Sequence, residues 1–413
     1  MKAYAYIIVC FAVSYTLLSC KTQIPESPSY YSDLSEDELR EMRERNQAKA
    51  LDYLKQLESS APDSVTMISF DWTGCSTSPD FSKYNKVRVV EFSGIEMKSV
   101  DKSLFSSDSL QTVVLNRCSF RKVDFPDDNH ISRLNLTNCN LTRIPTCIRR
   151  CKQLKELNLE GNNIRHIPGW IMRLDSLEEI SLNFNQLKLS RSDVKHLSKA
   201  KQILVAGNSI EKLPKNIGQL HCEKMNLAKN KLNSLPKSFA SLDNMTLLIF
   251  YENNFEEIPD VLAGFKNLKH LDFYKNNLKE IPDFVGDMRD MEQLYLSYNN
   301  IEVIPDTLRN LKSLKYFYIH HNDLHFLPEW ITEMDSLERL GVGFNHLLDL
   351  PDLSKMKALR EFDAEHNLLE NFPWKLVEKP CLDMLILRDN DFKLSFEEKM
   401  RLIKASKRVN IIY

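Results

Sequence analysis

The chain has 413 residues, of which 27% are charged, and its formal net charge at pH 7 is −2. This length exceeds what one compact hydrophobic core usually takes, a limit that an architecture growing in one direction avoids. Acidic and basic residues are mixed along the chain without a basic block, which argues against a nucleic-acid-binding protein.

The first residues have the pattern of an export signal. Lys2 is followed by an apolar run over residues 3–18. One early positive charge, a short apolar stretch and small residues at its end are typical of a cleaved signal rather than of a membrane-spanning helix. The tetrapeptide LLSC at residues 17–20 resembles the bacterial lipobox, with Leu18 unusual at its position. This resemblance implies a mature chain that begins at Cys20 and carries lipid there.

The sequence therefore predicts a signal peptide over residues 1–19 and a lipidated tether over residues 20–34. An ordinary signal peptide with an incidental Cys20 is the alternative. Several acyl chains on Cys20 would anchor the protein stably, because each buried CH₂ contributes about 0.8 kcal/mol. We expect an exported protein that is lipid-anchored to a bacterial membrane, at the outer membrane or the cell surface. The lipid would be its only membrane contact.

A helix is predicted to begin after Ser35. Ser35 and Glu38 have the spacing of a capping box, and helix-forming residues follow to about Glu58. An apolar stripe on this helix could dock on the first repeat or bind a partner helix, and we adopt docking, with residues 35–64 as an N-terminal cap. The stripe consists of Leu39, Met42, Leu51, Leu54 and Leu57.

Fourteen consecutive segments then repeat the pattern LxxLxLxxNxLxxIPxxIxxLxx with a period of 21 to 23 residues. The first begins at Val87 and the last at Leu382, and a weaker copy opens at Val65. Apolar residues at positions four and six alternate with outward ones, which predicts a short strand. Because one strand recurs in every period, the strands should form a parallel sheet whose inner face is buried only when units stack.

Asn at position nine and Pro after the last apolar position predict the turns. A buried amide needs hydrogen-bond partners, so the Asn row, found in eleven units, predicts a ladder that holds the bends. Cys118 and Cys139 take this position in two early units. Pro lacks an N–H group, so the outer face should consist of extended and 3₁₀ segments. Two units end instead in Ser190 and Ser395, with an acid three residues later, which predicts that helices follow.

Residues 87–395 resemble the leucine-rich-repeat family, in the 23-residue LxxIPxxI form of Ras-suppressor-type proteins and many bacterial surface proteins. The resemblance implies an α/β solenoid: a right-handed horseshoe with a parallel concave β-sheet, convex 3₁₀ or extended turns, and short helical caps. We assign the repeats to residues 65–395 and a C-terminal cap to residues 396–413. The family implies macromolecular recognition without naming a ligand. The cysteine-rich caps of many animal extracellular relatives are absent, which favours a bacterial source.

The sequence contains no motif for catalysis, a cofactor or a metal. Nucleotide-binding, metalloprotease, serine-hydrolase and CxxC motifs are all missing. Cys147 and Cys151 form a CxxxC pair, and His320 and His321 are adjacent, but neither pair has further ligands to complete a site. We therefore expect a protein that is not an enzyme and that binds no metal or cofactor.

The predicted binding site lies on the concave face, from the unit that starts at Met245 onward. Positions three, five, seven and eight point out of the sheet, and they change there from polar to aromatic. Strands lie about 4.8 Å apart, so these side chains should form a patch roughly 20 Å across. The patch consists of Tyr251, Tyr274, Tyr295, Tyr298, Tyr316, Tyr318, His320, His321 and Phe344.

Exposed aromatic clusters are typical of binding hot spots, so a protein or peptide is the expected ligand. Glycan binding by the same patch is one alternative, and a structural or assembly role through the convex face or the N-terminal helix is another. Tyrosine also simply suits strands, where neighbouring rings stack on one another. Charged side chains at the rim could orient a ligand: Glu252, Asp272, Lys275, Arg339, Asp363 and Glu365. The oligomeric state is left open by the sequence.

Overall fold

The computed structural model describes residues 35–71, 81–96, 99–100, 102–120 and 122–413. The predicted signal peptide, tether and lipidation residue Cys20 lie outside the described residues. Across the described ranges, no helix combines the length and the apolar character that crossing a membrane requires.

Within the described residues, sixteen parallel strands form one sheet, in which each strand pairs with the strands of the neighbouring turns. The register is constant, so that Leu271 aligns with Leu248 on one side and Leu294 on the other. Two short strands, Ser99–Val100 and Lys122–Val123, pair separately. The strands are β1 Met67–Asp71, β2 Val89–Ser93, β3 Ser99–Val100, β4 Thr112–Asn116, β5 Lys122–Val123, β6 Arg133–Thr137, β7 Glu156–Asn158, β8 Glu179–Ser181, β9 Gln202–Leu204, β10 Lys224–Asn226, β11 Leu247–Ile249, β12 His270–Asp272, β13 Gln293–Tyr295, β14 Tyr316–Tyr318, β15 Arg339–Gly341, β16 Glu361–Asp363, β17 Met384–Ile386 and β18 Asn410–Ile412.

Three of the four described α-helices begin at a capping box, formed by Ser35, Ser190 and Ser395 with the acid three residues later. The helices that the sequence predicts after Ser190 and Ser395 are confirmed. The helices are α1 Glu36–Ser59, α2 Arg191–His196, α3 Trp374–Val377 and α4 Phe396–Ala405.

The outer side of most other turns is a single 3₁₀ segment, as the prolines predict. In most of these turns Pro precedes the segment and adopts an extended conformation, for example Pro282 with φ −68° and ψ 149°. The 3₁₀ segments are Pro62–Ser64, Lys102–Phe105, Thr146–Arg150, Gly169–Arg173, Ile217–Gln219, Lys237–Ser241, Asp260–Leu262, Asp283–Asp287, Asp306–Asn310, Glu329–Glu333 and Leu353–Lys355.

The core is one continuous column of apolar side chains between the sheet and the outer segments, extending from Leu57 to Val409. Phenylalanines widen it near the middle, where the rings of Phe250 and Phe273 stack at 4.9 Å and Phe255 meets Phe273 edge-on at 5.3 Å. The fold is therefore a solenoid with an open parallel sheet, and this sheet carries the candidate site.

A ladder of asparagines ties each turn to the one before it. The Asn276 Oδ1 accepts the Phe255 N–H at 3.1 Å, and its Nδ2 donates to the carbonyls of Phe250 (3.0 Å) and Phe273 (3.1 Å). The arrangement recurs along the Asn row, while the Cys139 thiol donates to a carbonyl of the preceding turn instead. All these partners are backbone groups, which fits the structural role that the sequence predicts for this row.

The C-terminal half of α1 packs on the first turn. Ala50 and Leu57 are buried, the Tyr84 hydroxyl donates to the Leu57 carbonyl at 2.9 Å, and the Tyr53 hydroxyl accepts the N–H of a β1 residue. The predicted docking stripe is wrong at Leu51, which is 51% exposed. The buried face passes through Ala50, and the next residue of a helix is rotated by about 100°.

Candidate functional site

The eighth residue of each repeat directs a side chain over one edge of the concave face. From Phe184 onward this residue has a φ between 49° and 58° in nine repeats, although all nine are non-glycine. Such a left-handed conformation costs roughly 1–2 kcal/mol for an L-residue. The Asn at the next position holds the bend, and equivalent side chains in adjacent repeats become neighbours. The nine residues are Phe184, Lys229, Glu252, Lys275, Tyr298, His321, Phe344, His366 and Asp389.

Six aromatic rings run in an unbroken line along this edge, one from each of six consecutive repeats. The line begins with two position-seven tyrosines and continues with four position-eight rings. Successive centroids lie 5.1, 5.0, 3.9, 3.9 and 4.1 Å apart. At a strand spacing of about 4.8 Å, the line spans roughly 24 Å. We name it the edge row: Tyr251, Tyr274, Tyr298, His321, Phe344 and His366.

A second set of rings lies on the strands themselves. Tyr295 and Tyr318 stack at 5.4 Å with an interplanar angle of 6°. His270 lies against Tyr295 at 5.1 Å, and His320 lies against Tyr318 at 5.8 Å. We name these four residues the strand row. Tyr316 is beside it, with the Arg339 guanidinium 5.3 Å from its ring centroid.

The adjacent histidines that the sequence places together have separate surroundings. His321 belongs to the edge row, whereas the His320 ring lies against Gly341 and Gly343 of the next repeat, and its Nδ1 accepts the Gly343 N–H at 3.1 Å. Burial lowers the pKa of His320 to about 4, and burial also lowers the pKa of His270 to about 4. Both imidazoles are therefore neutral at pH 7.

Two rim carboxylates lie at position five on either side of the strand row. The Asp272 Oδ1 accepts the Tyr274 N–H at 2.7 Å, and the Asp363 Oδ1 accepts the Glu365 N–H at 3.0 Å. Burial raises the pKa of each aspartate to about 7. These raised pKa values reduce the negative charge that the two aspartates contribute to the face at neutral pH.

Each of the remaining rim charges forms an ion pair with a neighbouring residue. Glu252 lies 2.6 Å from Lys275, and Arg339 lies 3.3 Å from Glu361. Glu365 is buried, and its carboxylate accepts from the Arg388 guanidinium at 2.6 Å. The aromatic part of the concave face is thus nearly neutral within a frame of internal ion pairs.

The aromatic residues that the sequence predicts do meet on one face, but they form two rows instead of one uniform patch. Tyr298 is 42% exposed, and the other rings are half-buried because each covers part of its neighbour. The sequence prediction missed His366 and His270. Both occupy outward repeat positions, eight and three, so following position eight one unit further finds His366.

The described residues include no cluster of three or more His, Cys, Asp or Glu side chains arranged to hold a metal ion. Cys147 is half-buried and Cys151 is buried. Burial raises the pKa of both thiols to about 12, so they are neutral at pH 7.

Comparison with known proteins supports the repeat architecture. A family profile described as leucine rich repeat matches residues 129–187, 266–324 and 289–347. No curated protein matches the sequence. A leucine-rich-repeat protein of Leptospira interrogans is similar in structure, with a TM-score of 0.72 and 23% identity over 87% of this chain and 98% of that one.

Two plant receptors share the fold over shorter parts of their own length. One is the ectodomain of the receptor kinase GASSHO1/SCHENGEN3 from Arabidopsis thaliana, in complex with CASPARIAN STRIP INTEGRITY FACTOR 2 (TM-score 0.61, 21% identity, 84% of this chain, 44% of that one). The other is the plant peptide hormone receptor RGFR1 in complex with RGF2 (TM-score 0.58, 23% identity, 80% of this chain, 56% of that one). At these identities the likeness concerns the fold.

Proposed function

The chain belongs to the leucine-rich-repeat family, and from this premise we propose that it is an exported, lipid-anchored recognition protein whose concave face binds a protein or peptide. The observation that carries the proposal is the edge row, six rings that line up across six repeats with the strand row alongside. Tyrosine rings offer large contact areas at low entropic cost, and each keeps a polar hydroxyl.

The dimensions of the face suit an extended chain. A row of roughly 24 Å matches about seven residues of extended polypeptide at about 3.3 Å per residue. The neutral histidines and the paired rim charges leave an uncharged strip, which favours apolar and aromatic side chains in the ligand. The two plant receptors that share the fold are each described in complex with a partner, and one of them is a peptide hormone receptor.

The anchor is the part of the proposal that rests on the sequence alone. The lipobox-like residues 17–20 place the lipid on Cys20, and a polar tether over residues 20–34 would separate it from α1. Incorporation of labelled palmitate into the wild-type protein, but not into Cys20→Ser, is the expected result. If the wild-type protein takes up no label, the lipid anchor is contradicted, and the proposal for the concave site is unaffected.

The binding proposal is tested by screening the purified protein against peptide and glycan arrays, with a Tyr274→Ala, Tyr295→Ala, Tyr318→Ala variant in parallel. We expect peptide binding that weakens at least tenfold in the variant, because hot-spot aromatic residues carry most of the energy of an interface. The matched control replaces three exposed aromatic residues away from the concave rows, Phe326, Phe396 and Tyr413, by Ala. This control should bind peptide as the wild type does.

Each other outcome corrects a specific part of the proposal. A glycan hit that the tyrosine variant loses would keep the surface and change the ligand class. A hit that the variant retains would move the site to the convex face or to α1. Thermal melting of all three proteins separates lost binding from lost fold.

A further inference from the structure

The earlier outer segments of the solenoid carry a net positive charge, and the later ones carry a net negative charge. Four consecutive outer segments, 145–153, 168–176, 190–199 and 214–221, together carry eight Lys and Arg residues and two Asp residues. Four later ones, 259–267, 282–290, 305–313 and 328–336, carry eight acidic and four basic residues. Because the chain as a whole is nearly neutral, the basic half is a local feature. It lies on the side of the turns opposite the concave rows.

One groove opens within this basic half and a second opens at its N-terminal edge. The smaller, with a volume of about 420 Å³, lies between α2 and the next outer segment, and its cations are Arg191, Lys195 and Lys215. All three side chains are exposed, and none forms an ion pair with a described carboxylate. The rest of the lining is uncharged, namely Ser192, Asn216 and Gln219. This groove therefore concentrates three uncompensated positive charges.

The larger groove, of about 900 Å³, lies beside β5 and the segment Thr146–Arg150. Its two acidic residues, Asp124 and Asp127, both form ion pairs with Arg150, which lies 2.7 Å from Asp127. The other cations of the lining are exposed and unpaired among the described residues. They are Lys122, Arg143, Arg149 and Lys152.

We propose that this basic outer half binds a sulfated or phosphorylated polysaccharide. Guanidinium and ammonium groups are suited to sulfate and phosphate oxygens, and a linear polyanion can run along the outer face past both grooves. Among the residues that the structure describes, no aromatic side chain lines either groove. Single-stranded nucleic acids rely on such rings for base stacking, and protein partners need apolar or aromatic anchors, so both fit these grooves less well.

Heparin is the probe, with desulfated heparin and a single-stranded DNA oligonucleotide as comparisons. We expect wild-type protein to bind heparin and not desulfated heparin. If about four cations are engaged, affinity should fall roughly 50-fold between about 50 and about 200 mM salt, by the counterion-release relation. Two triple variants test the grooves. One carries Arg191→Glu, Lys195→Glu and Lys215→Glu, and the other carries Lys122→Glu, Arg143→Glu and Arg149→Glu. Each should weaken heparin binding at least tenfold.

The matched control reverses three exposed cations outside the basic half, Lys266→Glu, Arg289→Glu and Lys393→Glu, and should stay within twofold of the wild type. Retained heparin binding in both groove variants, or an equal loss in the control, would overturn the site. Oligonucleotide binding as tight as heparin binding would overturn the polysaccharide class. Because all substituted side chains are exposed, an unchanged melting temperature should accompany each result. None of these outcomes bears on peptide binding by the concave face.

Discussion

The imidazole of His320 fills the space that a side chain on Gly341 would occupy in the next repeat. A Cβ atom built on Gly341 would overlap that ring and would lie 2.7 Å from a ring carbon of Tyr318. Two residues further along the chain, the Gly343 N–H donates a hydrogen bond to the His320 Nδ1. The positions of the Tyr318 and His320 rings in the strand row therefore depend on the absence of a side chain at Gly341 in the next repeat.

Gly341→Ala should destabilise the protein by about 1–3 kcal/mol, the usual cost of overpacking, because both rings must move. Urea unfolding gives the measurement. Gly264→Ala is the matched control, since a Cβ there meets no atom within 4 Å, and it should be neutral or slightly stabilising. Equal effects of the two substitutions would mean that the His320 ring does not depend on Gly341.

Asn276→Ala should cost about 2–4 kcal/mol, since one buried N–H and two carbonyls lose their partner. The neighbouring Asn277 is exposed, so Asn277→Ala should change stability by less than about 0.5 kcal/mol. Urea midpoints of both variants test the ladder. Hydrogen exchange should show the loss at the Phe255 amide first, and an unaffected Phe255 amide would contradict the assigned bond.

Asp272→Asn should stabilise the protein at pH 8 and have little effect near pH 4. The folded-state pKa of about 7 lies above the ordinary value of 3.8, so the wild type loses stability as the pH rises from about 4 to 7 and stays at that lower level above it. Removal of the ionisable group removes this loss. The difference of about 3 pKa units corresponds to about 4 kcal/mol at about 1.4 kcal/mol per unit. Because the Asp272 side chain is half-buried, solvent screening should reduce the gain at pH 8 to about 1–3 kcal/mol.

The hydrogen bond itself should survive the Asp272→Asn change. Asn226 occupies the same repeat position and accepts the Ala228 N–H at 2.9 Å through its amide oxygen. Urea unfolding of the wild type and the variant at pH 4 and pH 8 gives the four values needed. A variant that is less stable than the wild type at pH 8 would refute the role assigned to burial.

Phe344→Ala interrupts the edge row between His321 and His366, and it should weaken ligand binding at least tenfold if the row is a hot spot. Phe326→Ala is the control, because Phe326 is 53% exposed and lies outside both rows. Titration of both variants with a peptide from the array screen gives the comparison. Equal affinities would move the contact away from the row.

The repeat pattern was enough to predict the sheet, the 3₁₀ outer face and the two later helices, because each depends on residues within one unit. The Ser190 and Ser395 capping boxes are local in this sense, and so is the Pro at each outer turn. The separate pairing of β3 with β5 was not predicted, since the units at Val87 and Leu110 lack the Asn and the Ile-Pro pair.

The surroundings of the aromatic residues depend on neighbours about one period away. The packing of His320 depends on two glycines in the next repeat, and the raised pKa of Asp272 depends on enclosure by adjacent strands. The left-handed turn at position eight is equally hard to read, because bulky residues such as Tyr298 and His321 adopt it where glycine would be expected. Residue type and repeat position predict most residues of the candidate site, whereas their arrangement depends on the packing between turns.

Because the register of the sheet is constant, the number of repeats sets the length of the concave face. Every junction uses the same strand alignment, and nearly every later one uses the same Asn bonds to the preceding turn. Insertion or excision of one whole unit would lengthen or shorten the face by a single step of about 4.8 Å and keep the strand alignment and the Asn bonds at the new junction. Ligand length can thus be matched by counting units, without redesign of any turn.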